Sequence, residues 1–300
     1  MPLKRNAGKW PLALLALGLL CATDTRAWES PFPSSAHAPF VAVDKSRQRL
    51  VLAGQEAERE YVCSTGRKPG DKRVRGDLKT PEGIYFITGK RTSGLDFQEY
   101  GEVAYPLDYP NPVDRLRGKT GSGIWVHSRG RRITPYESHG CVVVDLDDMS
   151  VLSHRLHTGT PVIIAERLRP GNDAAASEEA AARVEKRTKD WYAAWRAGRE
   201  AEDYYAASGP GRALAPRLHK GGETYRNRTR KADMGPVRVL EGPGYWVSWF
   251  SERVDAPEGS TLSGIRRLYW QRDKDGVFRI VGTRWDAGAG RRCGEVSSLE

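Results

Sequence analysis

Two residues near the middle of the chain have the types and the spacing of a nucleophile and its base. His127 ends the apolar stretch Gly123–His127, and Cys141 follows fourteen positions later, directly after Gly140. A free thiol titrates near 8.5, and a neighbouring imidazole activates its sulfur as a nucleophile. The pair therefore predicts covalent catalysis, with Cys141 attacking and His127 taking the thiol proton.

The residues next to the cysteine suit this chemistry. Glycine at position 140 lets the backbone turn tightly and pass close to a substrate. We expect the backbone N–H groups of Gly140 and Cys141 to hold a developing oxyanion, which is worth roughly 3–4 kcal/mol per donor in comparable sites.

The N-terminus predicts export. Basic residues precede the apolar run Pro11–Ala22, and Thr25–Ala27 puts small residues at a cleavage site. This order is typical of a signal peptide, and the apolar run is too short to span a bilayer. We expect residues 1–27 to be removed, leaving a periplasmic or otherwise extracytoplasmic protein with no stable membrane span. Lipid attachment at Cys21 stays open.

Composition limits the class of protein. The 300 residues are 39% hydrophobic and 29% charged, with a mean hydropathy of -0.60. These values fit a globular protein of about two domains and exclude a multispan membrane protein, a collagen-like chain and a mainly disordered one. The net charge is +10. In an exported protein this charge favours anionic cell-envelope polymers over nucleic acid as partners.

Cysteine usage favours a reactive thiol over a disulfide framework. After loss of the signal peptide three cysteines remain: Cys63, Cys141 and Cys293. Because the number is odd, at least one thiol stays unpaired in a compartment that tends to oxidise thiols. We expect Cys63 to be a buried strand residue and Cys141 to be the thiol kept for chemistry.

Short β-branched runs separated by turn residues predict a mostly β domain with one helix. The predicted strands are Phe40–Asp44, Arg49–Leu52, Tyr61–Ser64, Gly83–Ile87, Gly123–His127, Cys141–Val144 and Pro161–Ile164. The pattern of Asp145–Leu156 indicates a helix, capped by Asp145 or Asp147. A histidine at the end of one strand and a cysteine at the start of another can then meet across a sheet.

The motifs resemble the L,D-transpeptidase (YkuD-type) catalytic domain over residues 38–165. The resemblance is carried by His127 followed by Ser138–Cys141, and by the loop Gly76–Gly83. It implies a YkuD-like β-sandwich or barrel with one helix. It also implies that the cysteine is the nucleophile, the histidine is the base, and the backbone carbonyl of Ser128 orients the imidazole. The implied substrate is a peptidoglycan stem peptide, cut after its diamino acid at position three, with no cofactor and no metal.

One position departs from the family pattern. Val143 stands where many members have an arginine, two residues after the cysteine. We expect an arginine of the preceding loop to hold the substrate carboxylate instead, because a guanidinium suits bidentate carboxylate binding. The expected substrate-binding residues are Ser138, His139, Arg129, Arg131 and Arg132.

The C-terminal part changes character. Residues 166–185 are predicted to be a linker, although their Ala/Glu-rich end is also compatible with the start of a helix. Residues 186–290, a helical pattern followed by strands, resemble a nuclear transport factor 2-like (SnoaL-like) cone, which implies an α+β accessory domain. Its aromatic residues are expected to pack in the core, with a glycan or peptide pocket as the alternative: Trp246, Trp249, Tyr269, Trp270 and Trp285.

The sequence therefore predicts an exported cysteine L,D-transpeptidase that acts on peptidoglycan. An L,D-carboxypeptidase that trims tetrapeptide stems to tripeptides uses the same residues and stays open, because cell-shape hydrolases of this family carry a tail of this kind. A non-catalytic envelope-binding module is the alternative of another class. A zinc site of His127, His139 and Cys141 is disfavoured, since no His-Glu-x-x-His motif is present. His154 and His157 are expected on a polar helix face.

Overall fold

The computed structural model describes residues 29–30, 39–54, 58–168, 174–197, 199, 202–206, 231–255, 259 and 261–288. The predicted signal peptide, Cys21 and Cys293 lie outside these residues. Within them, no helix is both long and apolar enough to cross a membrane.

The first part of the chain contains ten strands and three helices. The strands are β1 (Glu29–Ser30), β2 (Phe40–Asp44), β3 (Arg49–Ala53), β4 (Arg59–Ser64), β5 (Gly83–Phe86), β6 (Ala104–Pro106), β7 (Trp125–Ser128), β8 (Val142–Val144), β9 (Pro161–Ala165) and β10 (Arg167–Leu168). The helices are α1 (Phe97–Tyr100), α2 (Pro112–Leu116) and α3 (Leu146–Leu152).

Among the described residues, the second part has one long helix and five strands. They are α4 (Ala174–Ala197), β11 (Lys231–Met234), β12 (Arg238–Gly242), β13 (Tyr245–Asp255), β14 (Thr261–Arg272) and β15 (Phe278–Ala287).

Eight strands form one mixed, curled sheet in the order β5-β9-β2-β3-β4-β8-β7-β6. Neighbours are antiparallel except for the pairs β2/β9 and β7/β8, which are parallel. The two edges of the sheet approach each other, since Ile87 and Leu107 form a β-bridge and the Thr88 N–H donates to the carbonyl of Pro106 at 2.8 Å. The curl encloses a core that includes the side chains of Val126, Val142 and Val144.

The β2 strand shows why both faces of this sheet are apolar. Its side chains alternate, as expected for a strand. Val41 and Val43 pack into the enclosed core, whereas Phe40 and Ala42 pack into a second apolar cluster. That second cluster also contains C-terminal side chains such as Trp249. The C-terminal sheet therefore covers the outer face of the first sheet, and every residue of β2 is buried.

In the C-terminal part, α4 packs against an antiparallel sheet in which both β11 and β12 pair with β13, and β14 and β15 follow. Residues 174–185 were predicted to belong to a linker, with the start of a helix as the alternative, and they form the first half of α4. Alanine and glutamate, which dominate this segment, are strong helix formers. Resemblance to a nuclear transport factor 2-like cone stays a prediction.

The aromatic residues of the C-terminal strands lie mainly in the core. Trp249, Tyr269 and Trp270 are buried, and the side chains of Trp246 and Trp285 are partly exposed. Core packing, the default expectation, accounts for the first three.

The helix predicted for Asp145–Leu156 is shorter than expected. It ends at Leu152, and both His154 and His157 follow it as exposed residues. Asp145 occupies the N-cap position but makes no side-chain capping bond; instead its carboxylate accepts from the Ile133 N–H at 3.1 Å. The aspartate thus ties the 129–137 loop to the start of α3.

Candidate active site

Two neighbouring parallel strands place His127 and Cys141 on the same side of the sheet. In the β7/β8 pairing His127 lies opposite Val143, and Cys141 comes two residues before Val143. Because side chains alternate along a strand, positions 141 and 143 share the face of His127. Val126 precedes His127 and pairs with Val142, which follows Cys141. The side chains of both valines point to the opposite face, into the enclosed core.

The imidazole of His127 is held in one orientation. Its Nδ1 lies 2.8 Å from the backbone oxygen of Ser128. A carbonyl only accepts hydrogen bonds, so Nδ1 carries the proton and Nε2 keeps its lone pair. The side chain is only 2% exposed, and this burial lowers the pKa of His127 to about 4, outweighing the opposing effect of the Ser128 hydrogen bond. The imidazole is therefore neutral at pH 7.

The thiol of Cys141 is also neutral at rest. The residue is partly exposed, and its Sγ donates to the carbonyl of Gly123 at 3.4 Å. Burial of the sulfur raises the pKa of Cys141, against the lowering effects of the Trp125 backbone and of the positive charges of Arg129 and Lys72. A raised thiol pKa and a lowered imidazole pKa both disfavour a thiolate–imidazolium pair at rest, so attack by this sulfur would be accompanied by proton transfer.

The second cysteine has a different environment. Cys63 is completely buried within β4, and burial raises the pKa of its thiol to about 12. Both Cys63 and Cys141 are free thiols. Cys63 is thus the buried strand residue that the sequence suggested.

The Ser138–Cys141 turn is closed by its own hydrogen bonds. The buried Ser138 hydroxyl donates to the Cys141 carbonyl at 2.6 Å and accepts from the Gly140 N–H at 3.0 Å. Gly140 has a φ of 131°, and a Cβ there would lie 2.8 Å from the Lys79 carbonyl oxygen. Glycine is required at this position both for the backbone angle and for the close contact. The Gly140 N–H already donates to the Ser138 hydroxyl. Of the two N–H groups expected to hold an oxyanion, this leaves that of Cys141.

The side chain of Tyr100, which the sequence motifs did not indicate, packs against the imidazole of His127. The Tyr100 ring centroid lies 5.1 Å from the rings of both His127 and Trp125. Tyr100 ends the short helix α1, whose N-cap Asp96 accepts from the Glu99 N–H at 3.1 Å. Its covering position follows from the fold of the 88–103 segment, and only the Asp96 capping signal is visible in the sequence.

The three arginines expected to bind substrate lie in different environments. Arg129 is 7% exposed and pairs with Glu137 at 3.2 Å and Glu99 at 3.4 Å. Arg131 is exposed and pairs with the same Glu137 at 3.0 Å. Arg132 is exposed, as is His139. Two of the three guanidinium groups therefore already share one carboxylate.

Metal ligation finds no support in the part of the chain that the structure describes. There, no three His, Cys, Asp or Glu side chains are grouped so that they could hold a metal ion.

Comparison with known families agrees with the motifs. Residues 38–164 match the model of the L,D-transpeptidase catalytic domain, YkuD. The match covers the curled sheet together with His127 and Cys141. No curated protein matches the sequence significantly.

Solved structures share the fold over most of the chain. Bd1075 from Bdellovibrio bacteriovorus is 21% identical with a TM-score of 0.63, covering 84% of this chain and 93% of that one. The helical cell shape determining protein Pgp2 from Campylobacter jejuni is 20% identical with a TM-score of 0.63, covering 83% of this chain and 92% of that one. The likeness in both cases extends beyond the YkuD domain into the C-terminal part.

Proposed function

We propose that the protein is an exported cysteine L,D-transpeptidase that acts on peptidoglycan stem peptides. The observation that carries the proposal is the placement of the Cys141 thiol and the oriented, neutral imidazole of His127 on one face of adjacent strands within a YkuD domain. The periplasmic or extracytoplasmic location rests on the sequence of residues 1–27.

The proposed reaction starts from the neutral pair. Cys141 Sγ attacks the carbonyl carbon of the residue-three diamino acid, and its proton passes to Nε2 of His127. The Ser128 carbonyl, bonded to Nδ1–H, stabilises the positive imidazolium that forms. The Cys141 N–H is the backbone donor that we assign to the oxyanion. When the C–N bond breaks, the imidazolium returns the proton to the leaving D-amino acid, and a thioester remains.

The thioester is then resolved by a second nucleophile. An amine of a neighbouring stem gives a crosslink, with His127 again accepting a proton and the thiol restored. In this scheme Ser138 and Gly140 shape the turn that presents the sulfur. We assign substrate binding to His139, Arg129, Arg131 and Arg132. His139 and Arg132 are exposed, whereas Arg129 and Arg131 share the Glu137 carboxylate.

An L,D-carboxypeptidase is the second candidate. In this reaction water replaces the amine, and the product is a trimmed tripeptide stem. The observation that favours it is the likeness of this chain, over 83% of its length, to a protein named for determining helical cell shape. That likeness includes the C-terminal sheet, which the YkuD domain alone does not have.

The products of one incubation separate these functions. The purified mature protein, residues 28–300, is incubated with a disaccharide tetrapeptide, and the products are identified by mass spectrometry. A crosslinked dimer supports the transpeptidase, and a tripeptide supports the carboxypeptidase. We expect Cys141→Ala to abolish either product, because the nucleophile is gone.

Cys63→Ala is the matched control for loss of a thiol. Cys63 is buried in the core, so its loss should leave turnover intact. A wild-type protein that yields neither product, even though it binds the muropeptide, would instead support the envelope-binding module.

A further inference from the structure

A strongly basic loop lies next to the proposed nucleophile. Residues 67–79, called the basic loop here, contain six Lys or Arg residues and two Asp residues. The loop leads directly into the Thr80–Gly83 segment that opens β5. Most of its side chains are exposed.

The basic loop contacts both segments that flank the thiol. On one side the Arg67 N–H donates to the Ser138 carbonyl at 3.0 Å, and the carbonyl of Lys79 faces Gly140. On the other side the Thr120 N–H donates to the Arg73 carbonyl at 2.9 Å. These contacts make the loop one wall of the surface around Cys141.

The basic loop also packs closely against the segment that leads to Gly123. A Cβ on Gly121 would lie 3.3 Å from both Arg75 Cα and Lys72 Cε. Gly121 stands two residues before Gly123, whose carbonyl accepts the hydrogen bond of the Cys141 thiol. The Arg75 backbone is therefore packed against the same glycine-rich segment that contacts the sulfur.

The shape of the loop is fixed by an internal ion pair. The Asp77 carboxylate accepts from Lys72 Nζ at 2.7 Å and from the backbone N–H groups of Arg73, Val74 and Lys79. Burial alone would raise its pKa, but these hydrogen bonds lower the pKa of Asp77 to about 2. The carboxylate therefore stays charged at any physiological pH, and the loop does not have to order itself when a substrate arrives.

Four of the six cations have no carboxylate partner. Lys72 pairs with Asp77, and Arg73 lies 3.8 Å from Asp71. Within the described residues no carboxylate lies within ion-pair distance of the remaining four: Arg67, Lys68, Arg75 and Lys79. The Arg67 side chain donates to a backbone carbonyl, that of Glu137, at 3.2 Å. By contrast, Arg129 and Arg131 across the turn share Glu137.

We propose that the basic loop is the specificity element for free carboxylates of the substrate, and that its four unpaired cations favour stem peptides with free carboxyl groups over amidated ones. The inference rests on the proposed function and adds the substrate class. A stem peptide offers a terminal carboxylate on the leaving residue and a further carboxyl group on the diamino acid. Unpaired cations on a loop that contacts the turn before Cys141 attract such groups and raise the encounter rate.

Two substrates and one neutralised variant test the proposal. KM and kcat are measured for a disaccharide tetrapeptide with a free diamino-acid carboxyl group and for its amidated form. We expect wild type to have a several-fold lower KM for the free form, with KM rising as NaCl is added, because salt screens exposed charges. In the variant all four cations are neutralised: Arg67→Gln, Lys68→Gln, Arg75→Gln and Lys79→Gln.

For this variant we expect KM for the free form to rise about tenfold, with the larger effect on KM than on kcat. Its KM values for the two substrates should converge. The control variant loses the same number of charges on the C-terminal part: Arg183→Gln, Lys186→Gln, Lys189→Gln and Lys274→Gln. Its KM values should match those of wild type. Equal KM shifts in both variants would assign the effect to net charge and overturn the proposal.

A binding measurement separates this inference from the proposed reaction. On a Cys141→Ala background, calorimetry reports the Kd of each tetrapeptide without turnover. Weaker binding of the free form after neutralisation of the loop supports the inference, whatever reaction wild type performs. An unchanged preference for the free form overturns the inference and leaves the reaction standing. If neither tetrapeptide binds, both proposals fail.

Discussion

At the scale of single residues, the two proposed catalytic groups, the His127 imidazole and the Cys141 thiol, are both neutral at rest. Burial lowers the pKa of His127 and raises that of Cys141, so both changes act against an ion pair at rest. The Ser128 carbonyl keeps Nε2 available as a base. In the proposed reaction the sulfur therefore becomes a strong nucleophile only when its proton leaves during attack.

Alkylation kinetics test this resting state. Because the pKa of Cys141 is raised, we expect its reaction with iodoacetamide to accelerate steadily as pH increases from 6 to 9, following the small thiolate fraction. A preformed ion pair would instead give a plateau beginning near pH 5. Mass spectrometry of the Cys141 peptide measures the rate, and the Cys141→Ala variant sets the background. A pH-independent rate between 5 and 7 would contradict the neutral pair.

At the scale of elements, a short turn and a strand register determine the site. The parallel pairing of β7 with β8 puts His127 and Cys141 on one face, and a register shift of one residue would put them on opposite faces. The Ser138–Cys141 turn then fits against the basic loop only because Gly140 has no side chain. The Val143 position, where many family members have arginine, is fully buried in β8. At position 143, β8 therefore contributes an uncharged, buried side chain instead of a cation.

Gly140→Ala tests the fit of the turn. A Cβ would meet a backbone oxygen, and the φ of 131° is unfavourable for alanine. We expect the free energy of unfolding to fall by more than about 1 kcal/mol and kcat/KM to fall at least about tenfold, since small displacements of a reacting group are costly. Urea unfolding and muropeptide turnover measure the two effects. Gly89→Ala, where a Cβ meets open space, is the control and should behave like wild type.

The sequence predicted the strands near the site better than the contacts between them. All seven strands predicted for residues 38–165 are present, because β-branched runs between turn residues are a local signal. The strand β6, the helix α1 and the cover formed by Tyr100 were missed. These segments are short, and their conformation depends on packing against β7.

At the scale of the whole molecule, the two parts of the chain share one core. The hydroxyl of Tyr245 in β13 accepts from the Ile84 N–H at 2.6 Å and from the Asn111 amide at 2.8 Å. Nearby, the buried Asp108 lies 3.4 Å from Arg267 of β14. The C-terminal sheet thus supplies polar partners, as well as apolar cover, to β5 and to the segment before α2.

Tyr245→Phe tests this connection. Removing the hydroxyl takes the acceptor from the buried Ile84 N–H and leaves the Asn111 amide with only its bond to the Ile84 carbonyl, which costs about 1–3 kcal/mol. We expect the urea midpoint of the whole chain to fall in a single transition, because the apolar cluster is continuous across both parts. Tyr136→Phe, which removes an exposed hydroxyl bonded to the Ser46 carbonyl, should change the midpoint little. Separate transitions for the two parts would argue against a shared core.

The sequence by itself determined the proposed catalytic pair, the strands that carry it and the helical pattern in the second half of α4. These properties depend on residue type and local spacing, which the chain displays directly. Only the tertiary structure decided which arginines already have carboxylate partners, which glycine contacts which loop, and what covers the outer face of the curled sheet. Such contacts join residues far apart in the sequence, and their geometry depends on the packing of every strand between them.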